Sequence, residues 1–193
     1  STERFQQVLD YLIDDHYLAE SWSSYAKKAA KKSDEFFMQS PMMINRHFEE
    51  PPYALDRSRI PAEQPLLVLF ETDNCNECAG FHNQVLAVDE IDELMEKFQV
   101  VRFDAKDTET PVITPKGDRV TPSAWYASTG YTRLPALLLF DPNGNVAMQT
   151  DTLVLRQRMI NILKYMLAEA YKDGWTYQRF ARSQAIKRIQ AEQ

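Results

Sequence analysis

Leu66-Leu67-Val68-Leu69-Phe70, running on into Glu71-Thr72-Asp73-Asn74-Cys75-Asn76-Glu77-Cys78-Ala79-Gly80-Phe81-His82, joins an unbroken apolar run to the only two cysteines of the chain. An apolar run of this length and continuity predicts a strand over 66–71, buried on both faces. Phe81, Val85 and Leu86 then begin a helical pattern. A Cys-x-x-Cys between a buried strand and a helix puts Cys75 at the helix N-terminus. There the partial positive charge and the free amide groups favour thiolate over thiol. A redox dithiol is built in this way.

Beyond the dithiol, Val88-Asp89-Glu90-Ile91-Asp92 reads as a helix restart, with Asp89 available as a cap and Ile91, Leu94, Met95 and Phe98 facing inward. Val100-Val101-Arg102-Phe103 is the next strand, which makes a parallel strand–helix–strand unit with a right-handed crossover. Val112 to Val120 reads as a small hairpin or ordered loop around Lys116-Gly117. Thr121-Pro122-Ser123 starts a short helix, proline being tolerated in its first turn. Ala136 to Phe140 and Val146 to Met148 flank Asp141-Pro142-Asn143-Gly144-Asn145, a hairpin turn signal. A long amphipathic helix is expected through Leu153, Leu155, Met159, Ile162, Leu163, Met166, Leu167 and Tyr171, with Gly174 stopping it. One more helix runs from Trp175 to about Ala191, through Phe180, Ala181, Ala185 and Ile189.

Upstream, the prolines at 51, 52, 61 and 65 indicate an extended connector between Glu49 and Pro65. Two helical stripes precede it: Phe5, Val8, Leu9, Leu12, Ile13 and Tyr17, then Trp22, Tyr25, Ala26, Ala29, Ala30 and Phe36 or Phe37. Ser21 is a cap between them, and the second helix should end near Ser40-Pro41. Lysines 27, 28, 31 and 32 form either a solvated face or a docking patch for an acidic partner. Met42, Met43, Ile44 and Phe48 read as packing residues. The expected organisation is an N-terminal helical extension and Pro-rich connector over 1–64, an α/β domain over 65–173, and a C-terminal helix over 174–193.

Composition excludes some functions. The 193 residues suit one domain with additions, and 44% apolar with 26% charged residues is ordinary for a globular protein. A net charge of −6, with no concentrated basic and aromatic surface, argues against a nucleic-acid partner. No apolar run approaches the ~20 residues that span a bilayer, so the chain is not expected to be membrane-embedded. It starts at Ser1 without a visible signal peptide, and the expectation is a mature form whose export signal has been removed. The cysteine spacing by itself suits the cytosol or an oxidising compartment. No phosphate-binding glycine loop, Ser/His/Asp constellation or paired-carboxylate motif is recognisable.

Strand, Cys-x-x-Cys, helix and strand, then an x-Pro leading into a hairpin and a closing helix, resembles the thioredoxin family from about Leu66 to Tyr171. The residues that carry the resemblance are Cys75-Asn76-Glu77-Cys78, Leu134-Pro135-Ala136-Leu137-Leu138-Leu139-Phe140 and Asp141-Pro142-Asn143-Gly144. Val85-Leu86 with Asp89-Glu90, and the tail Ala170-Tyr171 with its terminal helix, look closest to exported, periplasmic thiol:disulfide reductases of bacteria. The resemblance implies an α/β thioredoxin-like fold, a central mixed sheet flanked by helices. It implies Cys75 as the exposed nucleophile, Cys78 as the buried resolving thiol, and Pro135 as a cis proline beside the dithiol. Leu134 would present its backbone to a bound substrate strand, in the manner of strand addition.

Several positions depart from the family pattern. Asn74 stands where a tryptophan is usual, and Asn76-Glu77 where Gly-Pro is. Leu69 stands where a buried carboxylate is expected, six residues before Cys75, and Arg133 replaces a glycine two residues before Pro135. Glu77 should oppose thiolate formation, while the helix end and Arg133 favour it.

The implied function is thiol–disulfide oxidoreduction, reductive and periplasmic, with the cytoplasm as the alternative compartment. Its partners would be disulfide-containing protein substrates and a dithiol electron donor, for which the resemblance suggests a membrane carrier; no bound cofactor is needed. The competing class is a thioredoxin-fold binding or chaperone module without turnover. A structural disulfide, or a zinc site through Cys75, Cys78 and His82, are further readings of the same residues. Haem attachment is excluded because Ala79, not histidine, follows Cys78. His82 reads as a partly exposed helix residue, or alternatively as one that adjusts the dithiol's protonation. Trp125, Tyr126 and Tyr131 read as packing around the proline loop or as a groove rim.

Overall fold

The computed structural model describes residue 22 and residues 42–191. The two N-terminal helices, their Ser21 cap, the lysine patch and the helix end at Ser40-Pro41 therefore lie outside the described residues, Trp22 apart.

The core is a four-stranded mixed sheet in the order β2-β1-β5-β6. β1 (Leu66–Glu71) is buried at every position. It pairs in parallel with β2 (Gln99–Asp104) and antiparallel with β5 (Ala136–Phe140), which in turn pairs antiparallel with β6 (Val146–Thr150). Between β1 and β2 run α1 (Asn76–Phe81), a π-helical turn (His82–Leu86) and α2 (Asp89–Met95). Strand periodicity sorts β1 into two faces. Leu67 and Leu69 meet Phe81, Val85, Ile91 and Met95 from these helices, together with Ile162 and Leu163 of α4 (Arg156–Leu167) and Phe180 of α5 (Tyr177–Ala191). Leu66, Val68 and Phe70 meet Trp125 of α3 (Pro122–Ser128) and Val112 of the hairpin β3 (Val112–Ile113) and β4 (Arg119–Val120). Helices on both faces of a mixed sheet are the architecture that the resemblance implies.

Local signals explain most boundaries. Thr121 caps α3 by accepting from the Ala124 N–H, with Pro122 in the first turn. Asp141 nucleates the β5–β6 turn by accepting the N–H groups of Asn143 and Asn145, both at 2.8 Å. Gly144 completes it at φ +75°, where a Cβ would lie 2.8 Å from the Pro115 carbonyl oxygen, so no other residue fits without displacement.

Three expectations are corrected. The N-cap of α2 is Val88, without a side-chain cap, and Asp89 is the first helical residue. The amphipathic helix α4 starts at Arg156 and ends at Leu167, short of Gly174. Glu169 takes the left-handed conformation at φ +48°. The Ala170 N–H then bonds to the Tyr165 carbonyl and the Glu169 N–H to that of Met166. These two bonds are the Schellman closure. Gly174 closes a second such turn, through Trp175 N–H to the Ala170 carbonyl. Leu153 and Leu155 precede the helix and are 66% and 55% exposed. Ile44, expected to pack, is 94% exposed.

The connector lacks regular elements but is not loose. Leu55 and Arg57 are buried, and Arg57 donates to the Asp141 carbonyl and to Gln99 Oε1. Further upstream, Phe48 forms a parallel bridge to Val100, which extends the β2 edge. Arg46 pairs with Asp92 of α2 and with Glu96, the C-cap of that helix, and His47 Nε2 lies 2.6 Å from Asp92 Oδ1.

Candidate redox site

β1 delivers the dithiol. Its buried residues end at Glu71, the chain turns through exposed Asp73 and Asn74, and Asn74 adopts φ +57°. Asparagine tolerates this left-handed conformation better than most residues. Cys75 then becomes the N-cap of α1, and its Sγ accepts the Cys78 N–H at 3.1 Å. The cysteines form a disulfide, with their Cα atoms 5.2 Å apart. Cys75 is half-buried, while Cys78 is 5% exposed. Glu77 is exposed in the first turn of α1. The segment upstream of the connector reaches this turn as well, since the Met42 N–H donates to Asp73 Oδ1 at 3.0 Å.

Register brings the proline loop to the same end of the sheet. Ala136, at the start of β5, pairs with Phe70 near the end of β1, so Arg133, Leu134 and Pro135 leave the sheet where the dithiol turn does. The Leu134–Pro135 peptide is cis, as is Pro51–Pro52. Leu134 is half-buried against the second core, the one on the Leu66, Val68 and Phe70 face of β1. Arg133 is exposed, and its carbonyl accepts the Tyr126 hydroxyl at 3.0 Å. Tyr131 and Tyr126 pack near one another, with ring centroids 6.3 Å apart. Trp125 is buried among Phe70, Phe103 and Phe140, so it is a core residue and no part of a groove rim. A concavity of about 570 Å³ lies elsewhere, between β6 and the helices α4 and α5, lined in part by Gln149, Arg158 and Tyr177.

His82 corrects the reading of a partly exposed residue. It is 5% exposed, and its Nε2 lies 2.8 and 3.0 Å from the two carboxylate oxygens of Glu71, itself 1% exposed. Phe48 packs edge-on against the imidazole, with centroids 5.7 Å apart. Glu71 was legible: it follows Leu67 and Leu69 at period two, so it shares their inward face. A buried carboxylate thus exists at the end of β1, two residues after the position where the family pattern places one, and its partner is His82.

The thioredoxin-like domain family matches residues 54–167. Among solved structures, a thioredoxin-fold protein from Helicobacter pylori is similar at 15% identity and TM-score 0.53, over 68% of this chain and 86% of that one. The reduced C-terminal domain of Neisseria meningitidis DsbD is similar at 17% identity and TM-score 0.40, over 55% and 84%. A DsbH oxidoreductase is similar at 15% identity and TM-score 0.40, over 65% and 95%. At these identities the likeness is one of fold. No curated protein matches the sequence.

Proposed function

The chain belongs to the thioredoxin-like domain family, and on that premise we propose that it is a protein thiol–disulfide oxidoreductase that reduces substrate disulfides in a bacterial periplasm. The carrying observation is the asymmetry of the dithiol: Cys75 is half-buried at a helix cap, and Cys78 is buried one turn inside. Only a thiolate attacks a disulfide. Cys75 is the attacking sulfur and forms a mixed disulfide with the substrate; Cys78 then attacks Cys75 Sγ and releases the reduced substrate. The resulting Cys75–Cys78 disulfide is returned to the dithiol by a second protein dithiol, for which a membrane electron carrier is the proposed source.

Leu134 and Pro135 form the proposed substrate-binding edge, on the strength of the register that brings their loop to the dithiol's end of the sheet. Arg133 is proposed to favour the Cys75 thiolate electrostatically. The periplasmic and reductive assignments rest on the sequence resemblance to exported reductases. An insulin-reduction assay with dithiothreitol tests the reading. Acceleration of insulin precipitation that is lost in Cys75→Ser supports turnover, whereas no acceleration by the parent protein favours a binding module.

A further inference from the structure

The concavity of about 570 Å³ beside β6 is of the size that ligand pockets take. β6 is the last strand in the order β2-β1-β5-β6, so among the described residues no strand pairs with its outer edge. An edge strand presents unpaired N–H and C=O groups, and proteins commonly blunt such edges with charged residues or proline. β6 carries neither. Met148 and Gln149 of this strand line the cavity, facing Arg158 and Tyr165 of α4 and Tyr177 and Gln178 of α5.

Arg158 is the charged group of this lining. Its guanidinium donates to the Leu153 carbonyl at 3.4 Å and to Thr150 Oγ1 at 3.2 Å, both neutral acceptors. Its Nε–H is shielded from water and has no acceptor, and a buried donor left unmatched is costly. Among the described residues no carboxylate pairs with Arg158. The framing elements supply none: α4 and α5 carry arginines and lysines but no acidic residue, and β6 carries no charge. Asp151, just beyond β6, accepts the Thr132 N–H at 3.1 Å. Of the other cations, Lys164 pairs with Glu90, and Arg179 lies over the Trp175 ring, 4.3 Å from its centroid. In a chain of net charge −6, this wall is locally cationic.

We propose that the cavity binds an extended protein segment, which adds as a strand to the β6 edge and places a carboxylate on Arg158. In strand addition the main-chain bonds give affinity, and pockets for alternate side chains give specificity. A planar guanidinium with unused donors matches a carboxylate in geometry as well as charge. The cavity is therefore the pocket that selects an acidic side chain on the added strand. β5 separates β6 from the strand that delivers the dithiol, so this docking site is distinct from the redox site. The proposal does not depend on redox turnover.

The test is an NMR titration of the isotope-labelled full-length chain with the blocked peptide TVEVT, its neutral counterpart TVQVT, and sodium acetate. TVEVT should move the amides of residues 146–150 and the Arg158 Nε–H together, along one saturable curve. TVQVT should bind at least about tenfold more weakly, the scale of a hydrogen bond to a charged group. Acetate at the same concentration should leave the 146–150 amides in place. Arg158→Gln should abolish the preference for TVEVT. Gln178→Glu, at an exposed position of the lining, should weaken TVEVT by about threefold or more and leave TVQVT unchanged. If Arg158→Gln does not fold, Gln178→Glu decides alone. Equal affinity for the two peptides, or no saturable shift at 146–150, would overturn the proposal. So would a preference that survives in the folded variants, or acetate reproducing the shifts of TVEVT, since strand pairing would then play no part.

Discussion

The Cys75 sulfur accepts the backbone N–H of Cys78 at 3.1 Å, so one sulfur caps the helix in which the other is buried. The contact gives the two thiols unequal surroundings from a single turn of chain. After reduction, iodoacetamide should modify Cys75 at least about tenfold faster than Cys78, because reactivity follows thiolate character and access. Peptide mapping of a time course reads the ratio, and equal rates would remove the asymmetry.

Arg133 is exposed, so its effect on Cys75 is screened by water and salt. Arg133→Ala should move the alkylation profile of Cys75 to higher pH by less than about one unit, the scale of an exposed ion-pair interaction. The shift should shrink at 1 M salt. A profile that does not move at low salt would dismiss the electrostatic role.

Leu55 comes from the proline-rich connector but is 1% exposed in the second core. Leu55→Ala should therefore cost about 2–5 kcal/mol, as for any large-to-small change in a packed interior. Urea unfolding followed by fluorescence measures it, and a loss below about 1 kcal/mol would mean that the connector is not part of the cooperative unit.

Hydrogen bonds from Arg46, then from His47, hold the Asp92 carboxyl below the usual aspartate range. A carboxyl whose folded value is depressed contributes stability above its unfolded value, near pH 4, and loses it as pH falls through the folded value. Asp92→Asn should destabilise the protein at pH 7, and the difference from the parent should close as the pH drops below about 4. Thermal melts across that range report it; a gap that persists into strong acid would contradict the assignment.

Much of this was readable from sequence because the signals were local. Five apolar residues in a row placed β1, Thr121-Pro122 placed the start of α3, and Asp141 to Asn145 placed the last hairpin. The end of α4 was not, because Glu169 takes the left-handed position where glycine is the usual guide, and Gly174 serves the next turn. The Glu71–His82 pair was obscured differently. Each residue carried a positional signal, Glu71 by strand parity and His82 by its four-residue offset from Cys78. Their meeting depends on how the strand end and the helix pack together, which spacing within either element does not specify.

Trapping with cysteine variants reads the division of labour between the two sulfurs. Full-length Cys78→Ser and Cys75→Ser are incubated with disulfide-containing protein substrates and resolved on non-reducing gels, with the linked residue mapped by mass spectrometry. The account predicts that Cys78→Ser accumulates mixed disulfides through Cys75, because the thiol that would release them is gone, and that Cys75→Ser accumulates few. Absence of Cys75-linked complexes from Cys78→Ser, together with equal alkylation of the two thiols of the reduced parent protein, would contradict it.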